Sequence, residues 1–178
     1  MHWGHERVTL PPPEARVLAR KFAEAGAALV VGHGPHVVQG CERIGETAVY
    51  YSLGDAVFDR GDVADRDWGV ALYAEHDSGG WRWRHEPFAI PAGVHVPALE
   101  TEGGRPAQFA ARSAILADEP AYRRAFNEQA TRGFLAQQIR TTVRLIRKAG
   151  GRGLVEKVRG LRGRHLRLLA HTFLRNTR

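Results

Sequence analysis

The sequence predicts an α/β fold that is followed by a basic helical region. Three observations support this: a helical pattern over residues 12–26, a short apolar run at residues 27–31 directly after it, and two later stretches that alternate like hairpin strands. A helix that leads into a buried strand is typical of layered α/β folds. Beyond residue 105 the pattern is helical, so we expect two regions, residues 1–100 and 105–178.

The first predicted helix has recognisable ends. Proline and Glu14 suit its first turn, and Gly26 suits its end. We expect its apolar face to consist of Val17, Leu18, Phe22 and Ala25.

Two hairpins are predicted from turn residues that separate alternating stretches. CERIG, GETA and AVYYSLG form the first, and DWGVALYAEH, DSGG and WRWRHEPFAI form the second. We interpret the aromatic residues of the second hairpin as packing rather than as a ligand platform; they are Trp68, Trp81, Trp83 and Phe88. Helices are then predicted over residues 106–117, 119–130, 132–148 and 153–174.

Composition excludes several classes of protein. The 178 residues, 43% of them hydrophobic, suit one globular domain or part of a larger one. Cys41 is the only cysteine, which excludes an internal disulfide and a cysteine-based zinc knuckle. No apolar run approaches the roughly 18 residues of a membrane helix, and the first residues lack the basic start and apolar stretch of a signal peptide. The compartment stays open.

Positive charge is concentrated at the end of the chain. Residues 132–178 contain 13 Lys and Arg and one acid, a net charge of +12, whereas the other 131 residues carry −5. Two interpretations remain open: a solvated helical face, or a surface that binds a membrane or an acidic polymer. Nucleic acid ranks low because no recognised nucleic-acid-binding motif accompanies the charge. The candidate anion-binding residues are Arg140, Arg144, Arg147 and Lys148.

The histidines near the start of the chain occur as two close pairs. His2 and His5 bracket a Trp-Gly dipeptide, and His33 and His36 bracket Gly-Pro after the predicted strand. Neutral imidazole is the commonest metal ligand in proteins, and glycine and proline together can hold such a turn rigidly. The spacing alone leaves two alternatives, a metal site and an ordinary surface turn.

Three motifs in a fixed order resemble a known family. HWGHE, GAALVVGHGPHVVQGCE and GETAVYYSLGDAVFD are similar to motifs of the poly-γ-glutamate capsule biosynthesis (CapA-type, PGA_cap) family, which resembles the calcineurin-like metallophosphoesterases. The resemblance covers residues 2–59 closely and continues loosely to Pro91. It implies the C-terminal portion of a layered α/β/β/α metallophosphoesterase-like sandwich at residues 1–100, followed by the helical basic tail.

The resemblance also implies a dinuclear metal centre. His2, His33 and His36 match histidines that are ligands in the metallophosphoesterase arrangement, and the expected ions are Mn, Zn or Fe. No catalytic residue is assigned, and His5 is interpreted as exposed. The implied partners of the metal ligands or of the substrate are Glu6, Gln39, Ser52 and Asp55.

The sequence departs from the family pattern in two respects. Asp55 and Ala56 stand where the family has Asn and Phe, and the motifs that supply the carboxylates of the metal centre are not found before His2. We therefore expect a truncated reading frame or a mis-assigned start, with the N-terminal half of the family domain absent. Little or no phosphoesterase activity is expected from this chain alone.

The expected function follows from these features. It is that of a CapA-like protein fragment in capsule or poly-γ-glutamate biosynthesis, with part of a dinuclear metal site and with an acidic polymer or a phosphoester as substrate. The alternative is a non-catalytic interaction module whose basic C-terminal helices bind a membrane surface or an acidic polymer. The sequence leaves the reaction open.

Overall fold

The computed structural model describes residues 1–56, 67–90, 96–100, 102–133 and residue 143. The chain divides into two compact units, Met1–Gly133 and Phe134–Arg178. The predicted helix at residues 153–174 lies outside the described residues, as do the candidate anion-binding residues Arg140, Arg144, Arg147 and Lys148. The boundary predicted near residues 100–106, between a β-rich body and a helical tail, stays a prediction.

The first unit mixes helices and strands, which confirms the predicted α/β class. Its elements are α1 (Pro13–Glu24), β1 (Leu29–Val31), β2 (Cys41–Ile44), β3 (Thr47–Tyr50), β4 (Trp68–Asp77), β5 (Gly80–Ala89), β6 (Ala98–Leu99), α2 (Gly104–Ala114), a 3₁₀ turn (Ile115–Ala117) and α3 (residues 119–133). None of the helices in the described part of the chain has the length and apolar content to cross a membrane.

The described strands form two three-stranded sheets. In the first, the order is β1-β3-β2, with β1 parallel and β2 antiparallel to β3. In the second, the order is β4-β5-β6 and both pairings are antiparallel. A β-bridge between Gly54 and Gly69 joins the segment that follows β3 to strand β4. Both predicted hairpins, β2–β3 and β4–β5, are therefore confirmed.

The first sheet is buried on both faces. Side chains alternate along a strand, and in β3 and the residue after it Val49 and Tyr51 belong to one apolar cluster while Ala48 and Tyr50 belong to another. The first cluster contains Ala15 and Ala19 from α1, together with α3 side chains. The second contains Trp68 and Val70 of β4 and Phe109 of α2. The sheet thus lies between α1 and α3 on one side and the second sheet with α2 on the other.

The buried face of α1 differs from the predicted one. Val17 and Leu18 are 50% and 37% exposed, whereas Ala15, Arg16 and Ala19 are buried. Phe22 packs at the margin of the first cluster, as expected. The predicted apolar face did not include Arg16, and the pairing of its guanidinium explains why this side of the helix is buried.

Arg16 is buried because several partners satisfy its guanidinium. Nε and Nη2 donate to the two carboxylate oxygens of Glu42 at 3.1 and 2.8 Å, and Nη1 donates to Glu119 at 2.7 Å. Nη2 also donates to the Leu116 carbonyl at 2.9 Å, and the guanidinium lies 4.6 Å from the Tyr122 ring centroid. Burial alone lowers the pKa of Arg16, but the hydrogen bonds and charge of Glu42 outweigh it and raise the pKa. The network ties α1, β2 and α3 together.

Candidate functional site

The two histidine segments lie side by side. His2 and His33 form a parallel β-bridge, in which the Trp3 N–H donates to the His33 carbonyl at 2.9 Å and the His33 N–H donates to the Met1 carbonyl at 2.8 Å. Residues that form such a bridge are neighbours on adjacent extended segments. The structure therefore brings together His2 and His33, which are 31 positions apart in the sequence.

Glycine permits this close approach. The Trp3 indole N–H donates to the Tyr51 carbonyl at 2.8 Å, directly over Gly32. A Cβ at Gly32 would lie 2.1 Å from the indole nitrogen and 2.2 Å from the Tyr51 oxygen, distances that no side chain tolerates. Trp3 was not among the predicted site residues, although it holds the two segments together. The glycine after the buried strand was the available signal.

His36 occupies an unusual backbone conformation at the end of the same turn. Its φ of 60° lies in the left-handed region, which non-glycine residues adopt rarely and often at functional sites. The neighbouring Pro35 carbonyl accepts a hydrogen bond from the Arg7 N–H at 2.9 Å, which attaches this turn to the amino-terminal segment. The turn is thus fixed from two sides, by residues 3 and 7.

Asp55 orients the His36 imidazole. His36 Nδ1 lies 3.0 Å from Asp55 Oδ1, and the aspartate side chain is only 10% exposed. When neutral His36 donates from Nδ1 to the carboxylate, its lone pair is on Nε2, as in metal-binding histidines that a carboxylate supports. An asparagine, which the resemblance implies at this position, carries no charge there. The substitution therefore makes Asp55 the stronger acceptor.

The environment keeps His33 uncharged. Partial burial lowers the pKa of His33, and the positive charges of the chain's amino group and of His2 lower it further. Asp55 acts in the opposite direction, so its charge reaches both His33 and His36. A neutral imidazole at neutral pH is the form that coordinates a metal.

A complete metal site is not assembled by these residues. Within the described residues, no group of three or more His, Cys, Asp or Glu side chains is arranged to hold a metal ion. His2 and His33 adjoin, and His36 is oriented by Asp55, but the three imidazoles do not form one ligand group. The donor types suit Mn, Zn or Fe, and the set is too small for a centre of two ions. The metal role of His2, His33 and His36 stays a prediction.

Gln39 lies in the protein interior. It is 1% exposed, and its Nε2 donates to the carbonyls of Val8 and Leu10, both at 2.9 Å. Its Oε1 is buried and has no hydrogen-bond partner among the described residues. These contacts attach the amino-terminal segment to the turn after β1. A role for Gln39 toward a substrate stays a prediction.

Three other residues that the sequence analysis considered differ in their surroundings. Ser52 is buried, and its hydroxyl accepts a hydrogen bond from the Gly54 N–H at 3.3 Å. Glu6 is exposed and pairs with Arg7 at 3.8 Å. His5, interpreted as exposed, is exposed, with its ring 6.1 Å from that of Phe126.

Helix α3 supports the amino-terminal segment from the outside. Gln129 Oε1 accepts hydrogen bonds from the Thr9 N–H and hydroxyl at 3.0 and 2.9 Å. The Tyr122 hydroxyl donates to the Pro11 carbonyl at 2.7 Å. The segment that carries His2 is therefore held by Gln39 from within and by α3 from outside.

These features define an α/β protein in which two histidine segments meet beside a buried sheet. Residues 1–60 match the family described as bacterial capsule synthesis protein PGA_cap. This is the family whose motifs the three segments resemble.

Two curated relatives agree with the match. The PGA biosynthesis protein CapA of Bacillus subtilis (strain 168) is 38% identical over 96 residues, which are 54% of this chain and 25% of that protein. The capsule biosynthesis protein CapA of Bacillus anthracis is 38% identical over 78 residues, 44% of this chain and 19% of that protein. The aligned part of the chain thus spans a quarter or less of these relatives.

Proposed function

We propose that this chain is a CapA-like protein of capsule or poly-γ-glutamate biosynthesis and that its histidine segments contribute ligands to a divalent-metal centre. The metal would be Mn, Zn or Fe, and the substrate an acidic polymer or a phosphoester. The first part of the proposal is supported by the family match of residues 1–60 and by the two CapA relatives. The layered sandwich of metallophosphoesterases is the fold we propose for the complete domain.

The observation that supports the metal centre best is the His2–His33 bridge beside the His36–Asp55 contact. Two motifs from different parts of the chain meet at this bridge, and the carboxylate of Asp55 lies 3.0 Å from the His36 imidazole. A bound divalent ion would supply Lewis acidity toward an anionic oxygen. His2, His33 and His36 would hold it together with ligands from elsewhere, and Asp55 would orient the His36 imidazole.

Metal binding by the full chain tests this proposal. The protein is stripped with a chelator and titrated with Zn²⁺ while the imidazole signals are followed by NMR. We expect the signals of His2, His33 and His36 to shift together. His33→Ala should weaken binding at least about tenfold because a ligand is lost, and Asp55→Asn by about tenfold because the orientation of His36 is lost.

The matched control is His76→Ala, which removes an exposed imidazole from the distal end of the β4–β5 hairpin. It should leave the affinity unchanged. Binding that is equally strong in His33→Ala and the unchanged protein would refute the metal proposal, as would the absence of any shift at millimolar Zn²⁺. Neither result would affect the family assignment of residues 1–60.

A second candidate function is supported by the charge of residues 132–178, which hold 13 Lys and Arg and one acid. A polybasic segment of this kind is attracted to anionic membranes and to acidic polymers. The chain would then be a non-catalytic interaction module whose basic region binds a membrane surface or an acidic polymer.

Co-sedimentation with vesicles distinguishes this candidate. Vesicles with anionic lipid should retain the chain at low salt and release it at high salt, since screening weakens such attraction. Replacement of Arg140, Arg144, Arg147 and Lys148 by Gln should reduce retention. Equal retention by neutral vesicles would contradict the candidate.

A further inference from the structure

A cleft separate from the histidine segments lies between the tip of the β4–β5 hairpin and the end of α1. Its volume is about 620 Å³. One wall is formed by the end of α1 and the loop before β1, and the floor by the β2–β3 turn. Trp81 and Trp83 form the opposite wall. Every lining residue belongs to the first compact unit.

The aromatic residues of the second hairpin differ in exposure. Trp68 and Phe88 are buried in the second cluster, as the packing interpretation requires. Trp81 is 53% exposed, and its ring stacks on that of Trp83 with centroids 5.2 Å apart and planes 5° from parallel. Trp81 also meets the His76 ring edge-on at 4.7 Å, so it packs within the hairpin as predicted, while about half of its surface stays exposed. The exposed part of the indole, beside the cleft, is available to a ligand.

The charges around the cleft are negative on balance. Glu24, Glu46 and Arg43 line it, and Arg43 pairs with Glu46 at 3.1 Å. Among the described residues, Glu24 makes no ion pair or hydrogen bond through its carboxylate, which remains exposed. The unpaired negative charge of this cleft contrasts with the net charge of +7 of the whole chain.

Helix α1 adds to this negative potential. It ends at Glu24, on the wall of the cleft, and the carboxyl end of a helix carries a partial negative charge. The N–H groups of Ala25, Gly26 and Ala27 bond to carbonyls of residues 21–23, so they are not free to bind an anion. An anionic ligand is disfavoured here on both counts.

We propose that this cleft binds a small organic cation of the alkylammonium class, with Trp81 and Trp83 as its aromatic wall and Glu24 as its counter-charge. Aromatic faces attract such cations through their quadrupole, and tryptophan does so most strongly. A carboxylate and a helix carboxyl end next to the rings act in the same direction. The proposal does not depend on the metal-centre proposal, since the two sites share no residue.

Choline and its neutral isostere 3,3-dimethylbutan-1-ol form the matched pair of probes. Their shapes are alike and only choline carries the charge. Titrations of the full chain are followed by tryptophan fluorescence and by the indole N–H signals in NMR spectra. We expect saturable changes at Trp81 and Trp83 with choline and none with the isostere.

Substitutions test whether choline binds in this cleft. Trp81→Leu should weaken choline binding about fivefold, as expected for loss of one cation–π contact. Glu24→Gln should also weaken it. Gly45→Asn tests whether a side chain added at the β2–β3 turn hinders access of choline to the cleft. Gly45 has a φ of +59°, which asparagine tolerates, and a Cβ there meets no atom within 4 Å. The added side chain therefore enters open space. Tyr73→Leu is the control, because this ring packs on Arg84 and does not line the cleft.

Two further arms identify the source of the cation. Spermidine represents free polyamines, and a lysine residue blocked at both ends represents a polypeptide side chain. Binding of either cation that is tighter than that of choline supports the proposal. Equal binding of choline and its neutral isostere would overturn the proposal. Tighter binding of the neutral sugar N-acetylglucosamine than of choline would also overturn it, as would an unchanged choline affinity in Trp81→Leu. The absence of saturation with every cation would overturn it too.

Discussion

Gln39 shows how one buried amide positions the amino-terminal segment. Its two donated hydrogen bonds satisfy the carbonyls of Val8 and Leu10, while its own Oε1 has no partner within the part of the chain that the structure describes. A buried acceptor without a partner costs free energy. The amide is retained in spite of this cost because no apolar side chain could satisfy the two carbonyls.

We predict that Gln39→Met lowers the free energy of unfolding by about 2–4 kcal/mol, since two buried carbonyls lose their donors. Urea denaturation measures this change. Arg132→Ala, which removes an exposed ion pair with Glu128, should cost no more than about 0.5 kcal/mol. Similar stability of the two variants would show that Gln39 does not hold the segment.

His85 gives the stability of the fold a dependence on pH. Its Nδ1 lies 3.0 Å from the Tyr50 hydroxyl and its ring is 4.8 Å from that of Phe109, and burial lowers its pKa below 6.5. Between pH 6.5 and the lower folded value, the unfolded chain binds more protons than the folded chain. The free energy of unfolding therefore falls as the pH drops through this window.

We predict that His85→Gln flattens this dependence, whereas His76→Gln, at an exposed position, leaves it in place. Thermal denaturation from pH 7 down to pH 5 measures the two slopes. An unchanged slope in His85→Gln would assign the effect to other groups.

Arg16 joins helix α1 to helix α3 and to strand β2. Its inner partner Glu42 has a side chain that is 19% exposed, and its outer partner Glu119 is 45% exposed. Removal of a buried charge that has a buried partner leaves the partner uncompensated. The two sides of this network should therefore respond differently to substitution.

We predict that Arg16→Met lowers the free energy of unfolding by about 3–5 kcal/mol. Glu119→Gln should cost about 1 kcal/mol or less, because solvent screens the outer pair. Chemical denaturation of both variants measures the difference. Equal losses would mean that Glu42 is satisfied without Arg16.

At the level of the whole molecule, the pattern of the sequence predicted the elements better than their contacts. Both hairpins, α1 and the class of fold follow from periodicity and turn residues, which act locally. The exposure of Val17 does not, because it depends on the burial of Arg16 by partners more than 25 positions away. Partners at that separation leave no local pattern in the sequence.

The sequence predicted only part of the candidate site, again because contacts between distant residues leave no local pattern. The motifs identified His33 and Asp55, and the structure places the pairs His2–His33 and His36–Asp55 together. Convergence of all three imidazoles was expected from the resemblance, and the described residues contain no three-ligand group. The match of residues 1–60 to the family and the similarity to the relatives do not depend on that convergence.

The attachment of Thr9 and Pro11 to α3 has a practical consequence for dissection of this protein. A polypeptide cut after residue 60 would keep every family motif and lose the outer brace of the first one. Its histidines would then sample many arrangements, and a failed binding assay on such a piece would report the missing brace instead of the chemistry. A polypeptide made for studying the motif histidines should therefore extend at least through Gln129.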